Sequence, residues 1–255
     1  KALEKLADKR LSVLTGAAGT GKTSVVKAFL SSEAIQREGV LLLAPTGKAR
    51  VRLGEMGNGV QALTIAQFLT RRGYFDWDTM KPYIPEKENK YSGKRNIIID
   101  ECSMLTIDDF YVLFHALDLG TINRIILIGD PYQLPPIGPG RPFADLCGYL
   151  KDEKSPSHDA YAKLTTVVRT INQGESDVLQ LASWFSGDKP NKESDTIFDK
   201  IISGNFNHDL RVYTWKDESE LKDKLHETLD KELKGDGELC DRIKKSIGLD
   251  NWDNA

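Results

Sequence analysis

The sequence predicts an α/β fold: a parallel sheet with helices on both faces. Two observations carry this. Short apolar, β-rich runs dominated by Val, Ile and Leu recur at residues 11–14, 40–43, 97–99, 125–128 and 164–168, separated by stretches with helical patterning. Strands covered on both faces read as uninterrupted apolar runs, because each crossover lays a helix on the sheet. The second observation is a glycine-rich segment at 16–23 that directly follows the first run and leads into a helical run at 24–30.

Taken in order, the rhythm holds to residue 70 and then fails. Between Arg71 and Arg95, Gly73-Tyr74-Phe75-Asp76-Trp77, Pro82, Pro85 and a charged stretch at 86–90 read as an inserted hairpin subdomain with polar turns. A helix is expected over 106–117, and residues 186–195, rich in Gly, Pro, Lys and Asp, read as a boundary. Beyond it, residues 210–215 suit a strand, and Leu221, Leu225, Leu229 and Leu233 recur every four residues, as on one stripe of an amphipathic helix. The expected organisation is one domain over 1–190, with the insertion at 71–95, and the start of a second α/β unit over 205–255. The chain opens at Lys1 without a methionine, so it is expected to be a piece of a longer protein.

With 255 residues, 40% hydrophobic and 29% charged, the composition excludes disordered, collagen-like and disulfide-scaffold classes. No apolar run reaches the length of a membrane span and no signal peptide opens the chain, so the cytoplasm is expected and no membrane partner. Cys102, Cys147 and Cys240 are far apart and form no CxxC pair, which points away from a zinc site. Thirty-five basic against 38 acidic residues leave a net charge of −3, so any contact with nucleic acid must be local.

Gly16-Ala17-Ala18-Gly19-Thr20-Gly21-Lys22-Thr23 fits GxxxxGK[ST], with a strand before it and a helix after it. In this loop the backbone N–H groups cradle phosphates, the lysine reaches the β- and γ-phosphates, and the threonine hydroxyl sits on magnesium. Residues 16–24, including Ser24, are therefore the candidate nucleotide-binding set, with ATP and Mg²⁺ as cofactors. The run at 97–99 ends in Asp100 and Glu101. Asp100 is placed to hold magnesium with Thr23, and Glu101 to polarise the attacking water; the alternative is that Asp100 caps the helix over 106–117. A third run ends in Gly129-Asp130-Pro131-Tyr132-Gln133-Leu134-Pro135-Pro136. Gln133 suits a reader of the γ-phosphate, against the alternative of a rigid proline-rich turn.

Together, GAAGTGKT at 16–23, APTGKAR at 44–50, DECSM at 100–104 and GDPYQLPP at 129–136 resemble, in order and spacing, motifs I, Ia, II and III of superfamily 1 helicases. The QLPP and APTGKA segments resemble the RecD-like branch of superfamily 1B, over residues 3–187. The resemblance implies a RecA-like motor domain that hydrolyses ATP and moves along single-stranded DNA, 5′ to 3′, acting at duplex junctions and alongside other subunits of a repair or recombination complex. It assigns Arg169, in a segment similar to motif IV, to the γ-phosphate. It places Pro45, Thr46, Lys48, Arg50 and Thr64 at the DNA. The insertion falls where these enzymes carry a small duplex-splitting subdomain, whose aromatics Tyr74, Phe75, Trp77 and Tyr83 either stack on bases or pack a mini-core of their own.

Departures from the pattern are specific. Ala66 and Gln67 stand where the family carries His and Arg, Val168-Arg169-Thr170 replaces Tyr-Arg-Gln, and the adenine-reading glutamine would fall before Lys1. Motifs V and VI belong to a second domain of which residues 205–255 hold only the beginning. These departures keep a second function open, that of a nucleotide-dependent binding switch that unwinds nothing.

Overall fold

The structure, a computed structural model, describes residues 2–17, 19–57, 59–165, 176–185, 195–207, 209–233, 237–238 and 241–243. The chain divides into two compact units, one of residues 1–175 and 182–190, the other of residues 176–181 and 191–255.

The first unit opens with α1 (Ala2–Asp8), β1 (Leu11–Gly16), α2 (Lys22–Leu30), α3 (Glu33–Glu38), β2 (Val40–Ala44), α4 (Gly47–Met56), β3 (Ala62–Thr64) and α5 (Ile65–Arg72). A hairpin follows, β4 (Phe75–Asp76) and β5 (Lys81–Pro82), and then β6 (Asn96–Ile99), α6 (Ile107–His115), β7 (Arg124–Gly129), α7 (Pro142–Lys151) and β8 (Tyr161–Leu164). Six strands form one parallel sheet in the order β3-β2-β6-β7-β1-β8.

Each central strand feeds two cores, because alternate side chains leave opposite faces of a pleat. Val13, Leu41, Leu43, Ile97, Ile99, Ile125 and Leu127 meet Phe68, Leu69, Val112, Leu113, Phe143 and Cys147 on the face covered by α5, α6 and α7. Leu14, Leu42, Ile98, Ile126 and Ile128 meet Leu6, Val26, Phe29, Ile35, Leu53 and Met56 on the face covered by α1 to α4. The continuous apolar runs of the sequence are this double burial.

Where burial is one-sided, the sequence expectation shifts. β8 runs over Tyr161–Leu164 rather than 164–168, and of the expected run residues 166–168 lie outside the described residues. Among the described residues β8 is an edge strand paired to β1 alone. Tyr161 and Ala162 are buried and Lys163 and Leu164 half-buried, so no continuous run marks it. The expected helix over 106–117 spans Ile107–His115. Its N-cap is Thr106, whose hydroxyl accepts from the Asp109 N–H at 3.2 Å while the Asp109 carboxylate accepts from the Thr106 N–H at 2.9 Å. Asp100 is therefore not the cap of this helix.

The insertion does form a hairpin, but it has no mini-core of its own. Tyr74 is fully buried in the main core with Phe75, Ile84 and Tyr91 packed against it, and its hydroxyl accepts from the Asn89 N–H at 3.2 Å. Trp77 and Tyr83 stay exposed, Trp77 edge-on to Phe75 at 5.0 Å between centroids.

Of the described residues in the second unit, α9 (Thr196–Ser203) and α10 (Glu218–Glu232) are helical; α8 (Asp177–Ser183) begins in it. Asp177 is buried, accepting from Lys200 Nζ at 2.7 Å and the Asn207 N–H at 2.6 Å. The expected strand at 210–215 does not form: a strand exists only through a ladder partner, and among the described residues it has none. Leu221, Leu225 and Leu229 of the expected stripe lie on α10, whereas Leu233 is its extended C-cap, and no residue of that helix is buried. No described helix is long and apolar enough to cross a membrane.

Candidate nucleotide site

β6, β7 and β1 are neighbours, so the residues that follow them meet at one edge of the sheet. In open α/β sheets, that carboxyl edge is where ligands bind. After β1 the chain turns through the glycine loop into α2. Gly19 and Gly21 take positive φ values of 83° and 84°, a conformation costly for other residues. At Gly16 a Cβ would lie 2.4 Å from Thr20 Oγ1 and 2.9 Å from the Leu164 carbonyl, so no side chain fits. α2 starts at Gly21 with no side chain capping it, which leaves its leading N–H groups to an anion. Lys22 Nζ donates to the Gly16 carbonyl at 2.5 Å and to that of Ala17 at 3.2 Å. Ser24 and Val25 donate their N–H groups to the Gly21 carbonyl, at 3.0 and 3.2 Å. Ala18 lies outside the described residues.

β6 ends at Ile99 and places Asp100 and Glu101 beside the loop. The Asp100 N–H donates to the Leu43 carbonyl at 2.9 Å, and its Oδ1 accepts from the Glu101 N–H at 2.9 Å. Glu101 itself adopts the left-handed conformation, φ 54° and ψ 39°. For a residue with a Cβ this costs about 1–2 kcal/mol. The strained turn breaks the strand direction and starts the 3₁₀ turn Cys102–Met104. Cys102 is fully buried there, its thiol donating to the Ile99 carbonyl, and burial holds its pKa far up, consistent with a packing role.

These groups line one cleft of about 350 Å³, with Gly19, Thr20, Gly21, Lys22, Thr23, Asp100, Glu101, Gln133 and Arg52 on its walls. That volume suits a nucleotide-sized ligand. Burial lowers the pKa of Lys22, against the opposing pull of Asp130, Glu101 and Asp100. Burial raises the pKa of Asp100 despite the Glu101 N–H and the charges of Lys22 and Arg52. Burial and then the Asp100 charge raise that of Glu101. Two half-buried carboxylates with raised pKa values beside a lysine line a cleft that a polyanion and its counter-cation would neutralise.

A family described as an AAA domain matches residues 1–195. The chain belongs to this family. It is related to the RecD helicases of superfamily 1B and is a helicase-like P-loop ATPase domain, a family that binds nucleotide. One relative is an uncharacterised protein of Methanocaldococcus jannaschii, 35% identical over 179 residues, which are 66% of this chain and 15% of that protein. The ATP-dependent RecD2 DNA helicase of Deinococcus radiodurans is 38% identical over 149 residues, 56% of this chain and 19% of that helicase. The RecBCD enzyme subunit RecD of Mycolicibacterium smegmatis is 30% identical over 193 residues, 66% of this chain and 34% of that subunit. The chain thus spans between about a seventh and a third of these relatives.

In this AAA-domain chain the residues expected at DNA share a second stretch of the same edge. β2 and β3 pair with Ala44 opposite Thr64, so the segments that follow, Pro45-Thr46 and Ile65-Ala66, leave the sheet side by side. Both threonines are helix caps. The Thr46 hydroxyl accepts from the Ala49 N–H at 3.2 Å. Thr64 forms a capping box with Gln67: its hydroxyl accepts from the Gln67 N–H at 3.1 Å, and Gln67 Oε1 accepts from the Thr64 N–H at 3.0 Å. The glutamine that departs from the family pattern thus does local structural work. Lys48 is exposed and Arg50 half-buried on α4. Arg169 lies outside the described residues.

Three residues of the edge escaped the sequence reading. Ser103 Oγ donates to Gln133 Oε1 at 3.2 Å, tying the turn after Glu101 to the loop after β7. Asp130 closes that loop, its Oδ1 accepting from the Tyr132 N–H at 3.1 Å. Arg52 reaches the cleft from α4, two residues beyond the APTGKAR match. The available signal was spacing: Lys48 and Arg52 are four apart and share a helix face.

Proposed function

We propose that this chain is the ATP-hydrolysing part of a DNA helicase motor, moving 5′ to 3′ along single-stranded DNA. The observation that carries the reading is the convergence of Lys22, Thr23, Asp100, Glu101 and Gln133 on one cleft at the carboxyl edge of a sheet whose other strands present Thr46 and Thr64. Lys22 and the uncapped start of α2 bind the phosphates. Thr23 and Asp100 would hold magnesium, since both offer hard oxygen and line the same cleft. When bound, magnesium neutralises charge between the β- and γ-phosphates. Glu101 takes a proton from the attacking water, its raised pKa making it a better base than a solvated carboxylate. Gln133, held by Ser103, orients toward the terminal phosphate, and Arg169 supplies a further cation there. Pro45, Thr46, Lys48, Arg50 and Thr64 line the path of the DNA backbone.

The second reading, a nucleotide switch without unwinding, draws on Thr64 and Gln67, whose side chains are committed to each other. Fluorescence anisotropy of a labelled oligothymidine separates the two. The motor reading expects binding that weakens with salt and differs between ADP and a non-hydrolysable ATP analogue. Absence of binding at low salt in every nucleotide state would contradict it and leave the switch.

A further inference from the structure

We propose that Arg52 binds the terminal phosphate of the nucleoside triphosphate and gives the cleft its preference for triphosphate over diphosphate; this rests on reading the cleft as a nucleotide site. Arg52 stands on a fixed platform. α4 is capped by Thr46, and the next residue, Leu53, is fully buried, as is Met56 to within 7%. From that base the guanidinium crosses to the cleft wall, with Nη2 3.4 Å from Thr23 Oγ1. Of the three basic residues Lys48, Arg50 and Arg52, it is Arg52 that lines the cleft.

The contact with Thr23 fixes which end of a nucleotide Arg52 would meet. In a phosphate loop this hydroxyl sits at the metal between the β- and γ-phosphates, far from the base. Charge points the same way. Among the described residues the cleft and its rim set Lys22 and Arg52 against Asp100, Glu101 and Asp130, so Arg52 is the second side-chain cation there beside Lys22. Arg52 makes no ion pair with a described residue, and its planar fork matches phosphate oxygens. Thr23 and its neighbours are the parts a diphosphate also reaches; the proposed gain for the triphosphate is the contact of the Arg52 guanidinium, held beside Thr23, with the one phosphate a diphosphate lacks.

Calorimetric titration of the chain with adenylyl imidodiphosphate and with ADP, each with Mg²⁺, tests the assignment. Arg52→Ala should lose about 10- to 100-fold in affinity for the triphosphate analogue, the range of a lost charged hydrogen bond, with ADP affinity within about twofold of wild type. Arg52→Lys should recover part of the loss. Alanine suits an exposed helix position, so the variant should fold. Equal losses for both nucleotides, or no loss for either, would overturn the role of Arg52 while leaving the nucleotide site intact. A wild-type chain that binds neither nucleotide would overturn the site reading itself, and Arg52 with it.

Discussion

The two ends of strands β6 and β7 treat charge in opposite ways. At the amino end, Glu38 Oε2 accepts from Arg124 Nη1 at 2.7 Å and from Asn96 Nδ2 at 3.1 Å, while Arg124 Nε donates to the Ala7 carbonyl at 2.6 Å. Burial pushes the Glu38 pKa up, but hydrogen bonds from Asn123, Asn96 and Arg124 outweigh it and hold the group below its ordinary value. At the carboxyl end, Asp100 and Glu101 are pushed up by burial that their neighbours do not offset. One end is a closed network that ties α1, α3, β6 and β7 together. The other is charged, strained at Glu101 and uncapped at α2, and that incompleteness is what a ligand can complete.

If the contrast is real, each end should respond to mutation in its own currency. Lys22→Ala should weaken ATP binding by about 10-fold or more, the scale of a charge-assisted bond, with the melting temperature nearly unchanged; titration and thermal unfolding read the two effects. Arg124→Ala should do the reverse. Losing its bonds to Glu38, Asn96 and Ala7 should destabilise the fold by about 2 kcal/mol, visible in urea unfolding, with ATP affinity retained.

Smaller effects sharpen the comparison. Thr64→Ala removes a cap from α5 and should cost about 1 kcal/mol. If Thr64 also meets DNA, the variant should lose oligonucleotide affinity beyond what that stability loss explains. The finest test is pH. A carboxylate whose folded pKa is raised contributes stability that is present below its ordinary value and lost as pH rises through the raised one. Glu101→Gln should therefore melt higher than wild type at pH 7, with the gain shrinking toward pH 4. Glu38, held low, behaves oppositely: its contribution persists above the ordinary carboxylate range and fades as pH falls through the lowered value.

How far the sequence could be read follows from the same physics. β2, β6 and β7 were legible because burial on both faces leaves an unbroken apolar run, and β1, which carries Ser12 and Thr15, because it leads into a glycine loop whose backbone admits few residues. β3 was not, since three residues at a sheet edge carry no pattern, and β8 was misplaced because an edge strand tolerates Lys163. Ser103 and Arg52 were illegible for another reason. Each acts across the fold, on Gln133 and Thr23: Ser103 lies within DECSM and Arg52 shares a helix face with Lys48, but neither position names its distant partner. For Tyr74 the sequence leaves base stacking and a hairpin mini-core open, and the residue belongs to neither: it is fully buried in the main core.

The central claim is that the carboxyl edge hydrolyses ATP with Glu101 as its base. Glu101→Gln keeps shape and hydrogen bonding but cannot accept the proton, so nucleotide affinity and rate of phosphate release should be measured side by side on this variant. The account predicts affinity within about twofold of wild type and a rate reduced by roughly 10²- to 10⁴-fold. A rate close to wild type with intact binding would contradict it.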